Sequence, residues 1–255
     1  MGQSQPSTPA DLVGSWSTRT RHPLALAAGL VAASSAGAVL IGVALTLLFP
    51  GSTDEARRLV AVLVLAVAAL GVVVVTRGWR RTATTGPAHW RHTGLLVVPA
   101  VVAMAPLALG LNLPAASELA ILVVGYVATG LFEEVWHRGV VLDVLRRLGL
   151  RRSAVLGGGL FGLAHLANVA FGQSLAVSFA QAVGAWCFGI GYGILRWRTG
   201  AVWLLVLVHA VGDLMFKVTN LHGGLLWAFL VGHDTLVLVW GLWCLRRVDD
   251  DVRRA

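Results

Sequence analysis

The sequence predicts an all-α fold, a polytopic membrane bundle of about eight transmembrane helices with both termini in the cytoplasm. Of its 255 residues, 57% are hydrophobic and only 13% are charged, whereas a soluble domain carries roughly 25% charged residues. Its mean hydropathy is +0.78. Long apolar stretches and a one-sided distribution of arginine complete the pattern. Together these observations exclude an ordinary soluble protein.

The apolar stretches supply the predicted helices, since a helix needs about 20 apolar residues to cross a hydrocarbon core of roughly 30 Å. Pro99 and Pro106 interrupt the third stretch, but neighbouring helices can compensate such breaks. The stretches that satisfy this rule are 24–49, 58–76, 94–112, 117–145, 152–171, 174–195, 200–219 and 223–245. They form one transmembrane domain at 21–245, between a disordered cytoplasmic tail at 1–20 and a cytoplasmic tail at 246–255.

The positive charges predict the orientation of this domain. The net charge of +8 comes almost wholly from arginine, because Lys217 is the only lysine. Strict alternation from a cytoplasmic N-terminus places Arg57, Arg58 and Lys217 outside and Arg138 within a span. All other positive residues fall inside: Arg19, Arg21, Arg77, Arg80, Arg81, Arg91, Arg146, Arg147, Arg151, Arg152, Arg196, Arg198, Arg246, Arg247, Arg253 and Arg254. Such charge sets membrane topology, so we expect a lipid bilayer and no nucleic acid as partner.

Ionisable residues lie within the predicted spans, where a charge costs about 3 kcal/mol or more, so they are functional candidates. At a rise of about 1.5 Å per residue, Glu133, His165 and His209 lie about 14–20 Å from the inner ends of their spans, in one inner-to-middle layer. The full set comprises Glu133, Glu134, His137 and Arg138 on the fourth span, His165 on the fifth, His209 and Asp213 on the seventh, and His233 and Asp234 on the eighth.

The stretch "LFEEVWHRGVV", residues 131–141, separates two glutamates by their helical positions. Glu134 and Arg138 are four residues apart and can form an ion pair on one face. Glu133 points about 100° away from that face. A carboxylate that is not engaged by this pair can act as a general base on water.

Two further spacings predict histidines that can act together with the Glu133 carboxylate. His165 shares a helix face with Phe161 and Asn168, and His209 shares one with Asp213. Two histidines can hold a water molecule or hydrogen-bond a developing oxyanion, and Asp213 can orient His209. The residues therefore indicate hydrolysis.

Three ordered motifs resemble those of a known family. "EEVWHR" at 133–138 fits EExxxR, "FGLAH" at 161–165 fits FxxxH, and "HAVGD" at 209–213 fits HxxxD/N. The region 117–217 thus resembles the CPBP family of intramembrane proteases, which includes type II CAAX prenyl endopeptidases and bacterial relatives, some linked to bacteriocin self-immunity. The flanking sequence "LRWRTGAVWLLVLVHAVGD" resembles the bacterial branch.

The resemblance implies a multi-pass protease in a bacterial plasma membrane, with Glu133 activating water and His165 and His209 binding that water or the oxyanion. Asp213 takes a position that is often Asn. Glu134 and Arg138 become a structural pair, supported by Phe161 and Asn168. The expected substrate is a peptide or membrane protein cleaved near the inner leaflet, and a prenylated CAAX substrate does not carry over.

The metal content is left open by these residues. Glu133, His165, His209 and Asp213 are acceptable ligands for a divalent metal such as zinc, yet their spacing is not that of HExxH. The two cysteines, Cys187 and Cys244, lie in apolar segments and predict neither a disulfide framework nor a CxxC site.

Two other functions fit the same polar residues. One is a non-catalytic immunity or scaffold protein that keeps the network as helix-to-helix glue. The other is a small transporter or proton relay through Glu133, His165, Asp213 and Asp234. We interpret His137 as tuning Glu133, and His233 with Asp234 as a structural pair. Gly157, Gly158, Gly159, Gly189 and Gly193 are expected to permit close helix approach.

Overall fold

The computed structural model describes residues 21–254, and these are almost entirely helical, which confirms the predicted all-α bundle. The predicted tail at 1–20 lies outside the described residues. The last helix continues to Arg254, so most of the predicted C-terminal tail prolongs that helix. The helices are α1 Pro23–Leu48, α2 Asp54–Val75, α3 Trp90–Leu109, α4 116–148, α5 149–171, α6 Leu175–Thr199, α7 Val202–Val218 and α8 Gly223–Arg254.

Six helical runs among the described residues are long and apolar enough to cross a membrane. One of them, Ala116–Phe171, has 56 residues, which at 1.5 Å per residue would extend roughly 84 Å if it were straight. Gly149, with φ of 80°, breaks this run into α4 and α5 because its backbone adopts a left-handed conformation that glycine tolerates. The number of crossings and the side of each terminus stay predictions.

Helix α3 shows how the chain accommodates two prolines. It begins as a 3-10 helix at Trp90–Leu96, becomes α-helical at Val97–Met104 and ends as a 3-10 helix at Ala105–Leu109. Pro99 and Pro106 each lie in the first turn of a segment, where the missing N–H needs no intrahelical partner. The prolines therefore divide the predicted third span without removing it.

The helices gather their arginines at one end of the bundle, which we call the Arg-rich end. There Arg198 Nη1 donates to the carbonyl of Cys244 at 3.1 Å, and Arg81 lies 3.8 Å from Asp143. The backbone of His89 donates to the carbonyl of Thr199 at 3.1 Å. The loop after α2 therefore lies beside the Arg-rich ends of α4, α6 and α8, as the alternation of spans predicts.

The other end of the bundle, called the Arg-poor end, holds the remaining connections. Asn112 N donates to the carbonyl of Val218 at 2.8 Å, and Leu111 forms an isolated antiparallel bridge with Thr219. Gly42 of α1 lies against the Phe171 ring at the end of α5, where an added Cβ would be 2.6 Å from Cε1. The C-terminal ends of α1, α3, α5 and α7 therefore lie at this end.

Glycines bring α5 and α6 into close contact. A Cβ at Gly158 would lie 2.8 Å from Ile190 N, and one at Gly189 would lie 2.7 Å from Gly158 Cα. A Cβ at Gly193 would lie 3.3 Å from Ala154 Cα. These distances confirm the predicted role of Gly158, Gly189 and Gly193, and the contact fixes α5, which carries His165, against the bundle.

Candidate active site

Helix α4 changes its winding at the first motif. Glu134–Val141 is a π-helix, and all eight of its residues are buried. Such segments occur frequently at functional sites. The sequence predicts a regular α-helix here, and neither the residue spacing nor the composition of this stretch indicates a π-helix.

Glu134 and Arg138 form the predicted ion pair. Arg138 Nη1 lies 3.1 Å from Glu134 Oε1, and the two side chains are 3% and 0% exposed. The guanidinium also lies 4.1 Å from the ring centroid of Phe161, 5.3 Å from that of Phe188 and 5.6 Å from that of Tyr192. Three aromatic faces and one carboxylate thus surround a buried cation, which lowers the cost of its burial.

His209 stands at the centre of the carboxylates. Its Nδ1 lies 2.7 Å from Glu134 Oε1, and because the ionised Glu134 can only accept, Nδ1 donates. Its Nε2 lies 3.6 Å from Glu133 Oε2 and 3.6 Å from Asp213 Oδ2. Asp213 lies beside one ring nitrogen of His209, as the spacing predicts, and Glu134 holds the other, a contact that the sequence analysis did not predict. Glu134 Oε1 therefore contacts both Arg138 and His209.

His165 is held by the backbone of its own helix. Its Nδ1 lies 2.9 Å from the carbonyl of Phe161, which can only accept, so Nδ1 carries the proton in this hydrogen bond. In the neutral imidazole, Nε2 then has a free lone pair. One helical turn further, Asn168 Nδ2 donates to Gln181 Oε1 at 2.9 Å and links α5 to α6.

A cavity of about 570 Å³ brings the predicted residues together, within the range of roughly 300–1,000 Å³ usual for ligand sites. Every described helix except α3 contributes to its wall. Glu134 and Arg138 are not part of that wall and lie behind it. Its polar lining includes Ser34, Ser35, Thr129, Glu133, His137, His165, Asn168, Gln181, His209, Asp213, His233 and Asp234.

The cavity extends from the middle of the bundle toward the Arg-poor end. Glu133 lies near the middle of α4, and the lining residues beyond it reach Phe171 and Trp227, at the Arg-poor ends of α5 and α8. Glu133, His165 and His209 thus line one cavity, and the space beside them extends toward the Arg-poor end. The depth estimate located the side chains and could not show which neighbouring helices leave space.

The His233–Asp234 pair also lies on this cavity, outside the three motifs. His233 Nδ1 is 3.1 Å from Asp234 Oδ1. The His233 ring stacks on Phe188 with centroids 5.6 Å apart and meets the edge of Phe216 at 5.7 Å. Phe188 in turn contacts the His209 ring at 5.0 Å. Aromatic packing therefore couples this pair to the motif histidine, which the sequence spacing did not indicate.

His137 packs against the second motif instead of pairing with a carboxylate. Its ring meets Phe161 at a centroid distance of 4.8 Å, and its buried Nδ1 has no hydrogen-bond partner. The ring also reaches the cavity wall. No contact observed for His137 supports the expectation that it tunes Glu133.

The donor atoms do not form a ready metal site. Within residues 21–246, whose side chains the structure describes, no group of three or more His, Cys, Asp or Glu side chains is arranged to hold a metal ion. Cys187 and Cys244 are both free thiols.

Comparison with known proteins connects this geometry to a family. Residues 115–215 match the family model described as type II CAAX prenyl endopeptidase Rce1-like. Neither the curated proteins nor the solved structures yield a match. The matched range contains all three motifs and ends before His233, so the match supports the predicted CPBP resemblance for the central helices.

Proposed function

We propose that this chain, whose residues 115–215 match the Rce1-like family model of type II CAAX prenyl endopeptidases, hydrolyses peptide bonds inside the membrane with a water molecule activated by Glu133. The observation that carries the proposal is the position of Glu133 in the cavity, 3.6 Å from a histidine that a second carboxylate orients. A carboxylate beside a held imidazole is a recurring arrangement for acid–base chemistry.

Glu133 and Glu134 have different roles in this proposal. Glu134 is completely buried, its Oε1 contacts both Arg138 and His209, and its side chain does not line the cavity. Glu133 is 19% exposed and lines the cavity. A general base must reach the proton that it removes, and only Glu133 of the two meets this condition.

The reaction follows from these positions. Glu133 takes a proton from water, and the water oxygen attacks the carbonyl carbon of the peptide bond. Negative charge develops on the carbonyl oxygen, and a proton carried at His209 Nε2 can stabilise it. The free lone pair of His165 Nε2 accepts a hydrogen bond from the water and orients it. When the C–N bond breaks, the proton held by Glu133 passes to the departing amine.

A glutamate-to-glutamine exchange tests the proposal. Glu133→Gln keeps the size of the side chain and removes the base, so we expect cleavage to fall by about 10²–10⁴-fold while folding is unchanged. The matched control is Glu118→Gln, which alters an exposed carboxylate on the same helix. The measurement is mass spectrometry of new peptide termini in membrane proteins from cells that express each form. Termini that persist in Glu133→Gln contradict the proposal.

The same experiment separates the rival functions. A non-catalytic scaffold retains its biological effect in Glu133→Gln. A proton relay requires a path through the bundle, but the buried Glu134–Arg138 pair and the Phe161 ring close the cavity on the Arg-rich side. This closure favours a site that opens to one side over a transmembrane path.

A further inference from the structure

The Arg-rich side of the cavity is sealed by packed chain. All eight residues of Glu134–Val141 are buried, and so are the next four, Leu142–Leu145. Arg196 Nε donates to the carbonyl of Arg138 at 3.1 Å, and its guanidinium also donates to the carbonyl of Arg81. A peptide approaching from this end would have to break these contacts, so the seal excludes access from it.

Exposure rises in the opposite direction. The Glu134 side chain is 0% exposed, that of Glu133 is 19% exposed and that of Asp213 is 35% exposed. Asp213 lies one turn beyond His209 toward the Arg-poor end. The cavity then reaches Phe171 and Trp227, which are 47% and 43% exposed. The opening of the cavity therefore lies at the Arg-poor end.

The arginine asymmetry relates this end to a side of the membrane. Short connections rich in arginine stay in the cytoplasm, and of the positively charged residues only Arg57, Arg58 and Lys217 belong to the Arg-poor side by alternation. Arg57 and Arg58 line a second pocket of about 320 Å³ that shares Phe171 with the cavity. The opening thus faces away from the cytoplasm.

We propose that substrate reaches Glu133 from the non-cytoplasmic face, and that the substrate is an extended, largely apolar segment at the non-cytoplasmic end of a membrane-anchored polypeptide. The wall near the opening combines aromatic rings, Phe171, Phe216 and Trp227, with the amides of Asn168 and Gln181. Aromatic surfaces fit apolar side chains, and amides can pair with an exposed peptide backbone. The substrate class rests on the proposed protease function, whereas the side of access does not.

The native cysteines provide a direct test of the side of access. Cys187 lines the cavity, while Cys244 is 1% exposed and lies near the Arg-rich end. A membrane-impermeant cationic methanethiosulfonate is applied to the full chain in right-side-out and in inverted membrane vesicles, and modification is measured by mass spectrometry. We expect modification of Cys187 in right-side-out vesicles and not in inverted ones.

Three variants control the measurement. Cys187→Ser removes the expected signal. In that background, Glu118→Cys and Arg91→Cys place an exposed thiol at the Arg-poor and the Arg-rich end, respectively, and so report the orientation of the chain. Gln181→Cys places a second thiol on the cavity wall nearer the opening.

The outcomes decide the proposal whether or not the chain is a protease. Modification of Cys187 from the side that also modifies Arg91→Cys would overturn the proposed non-cytoplasmic access. Reaction of Glu118→Cys from the cytoplasmic side would overturn it as well. If neither Cys187 nor Gln181→Cys reacts from either side, the cavity has no aqueous opening and the proposal is wrong. Repeating the labelling on Glu133→Gln tests the side of access separately from catalysis, because access does not require the base.

Discussion

The guanidinium of Arg138 lies 4.1 Å from the ring centroid of Phe161, and this contact joins the first motif to the second. The same Phe161 accepts a hydrogen bond from His165 Nδ1 through its backbone carbonyl. One residue thus supports a buried cation with its side chain and orients a cavity histidine with its main chain. The Phe161 ring also meets the His165 ring edge to face, with centroids 4.7 Å apart, a contact that the spacing of four residues in "FGLAH" makes possible.

Replacing the aromatic ring tests this relationship. Phe161→Leu keeps an apolar side chain and the carbonyl but removes the π face, so we expect a loss of about 1–2 kcal/mol in the free energy of unfolding. The measurement is denaturant unfolding in detergent micelles. Phe179→Leu on α6 is the control, because Phe179 is 63% exposed and its replacement should leave stability unchanged. Equal effects of the two substitutions would argue against the cation–π contact.

The adjacent glutamates should behave in opposite ways. Glu134→Gln leaves the buried Arg138 without a counter-charge, and breaking one side of a buried pair typically costs about 3–5 kcal/mol. Glu133→Gln affects a partly exposed carboxylate and should leave the unfolding free energy nearly unchanged while removing cleavage. Unfolding and cleavage are measured on both variants. A Glu133→Gln protein that is as unstable as Glu134→Gln would contradict this division.

A partial rescue sharpens the same prediction. Arg138→Met in the Glu134→Gln background removes the unpaired cation and keeps apolar volume against Phe161, so it should recover part of the lost stability. If the double variant is less stable than Glu134→Gln alone, the loss did not arise from an unpaired charge.

Asp213 tests whether a carboxylate is needed beside His209. The resemblance indicates that this position is often Asn, and an amide retains the shape and hydrogen-bonding capacity of the side chain. We expect Asp213→Asn to keep cleavage within about tenfold and Asp213→Ala to lower it by about 10²-fold or more. Both rates are measured with one membrane-protein substrate identified by its new termini. A loss in the Asn variant as large as that in the Ala variant would show that the negative charge itself is required.

The sequence predicted the parts of the site that depend on local spacing. The Glu134–Arg138 pair follows from one helical turn, and the candidate residues could be found because ionisable groups are rare in apolar spans. It could not predict that Glu134 contacts His209, 75 positions later, because that contact depends on how α4 packs against α7. The direction of the cavity likewise depends on the placement of α1, α2 and α8, for which no local pattern exists.

Two neighbouring glycines offer a matched test of the α5–α6 contact that positions His165. A Cβ at Gly158 would lie 2.8 Å from the backbone nitrogen of Ile190, whereas the nearest atom to a Cβ at Gly159 is 3.6 Å away. Gly158→Ala should therefore separate the helices and cost about 1–3 kcal/mol. Gly159→Ala meets only ordinary contacts and should be neutral, or stabilising by up to about 1 kcal/mol from helix propensity. Unfolding of both variants in micelles is the measurement, and cleavage should fall only in Gly158→Ala because His165 moves with α5. Equal stability of the two variants would show that the helices can separate at Gly158 without cost.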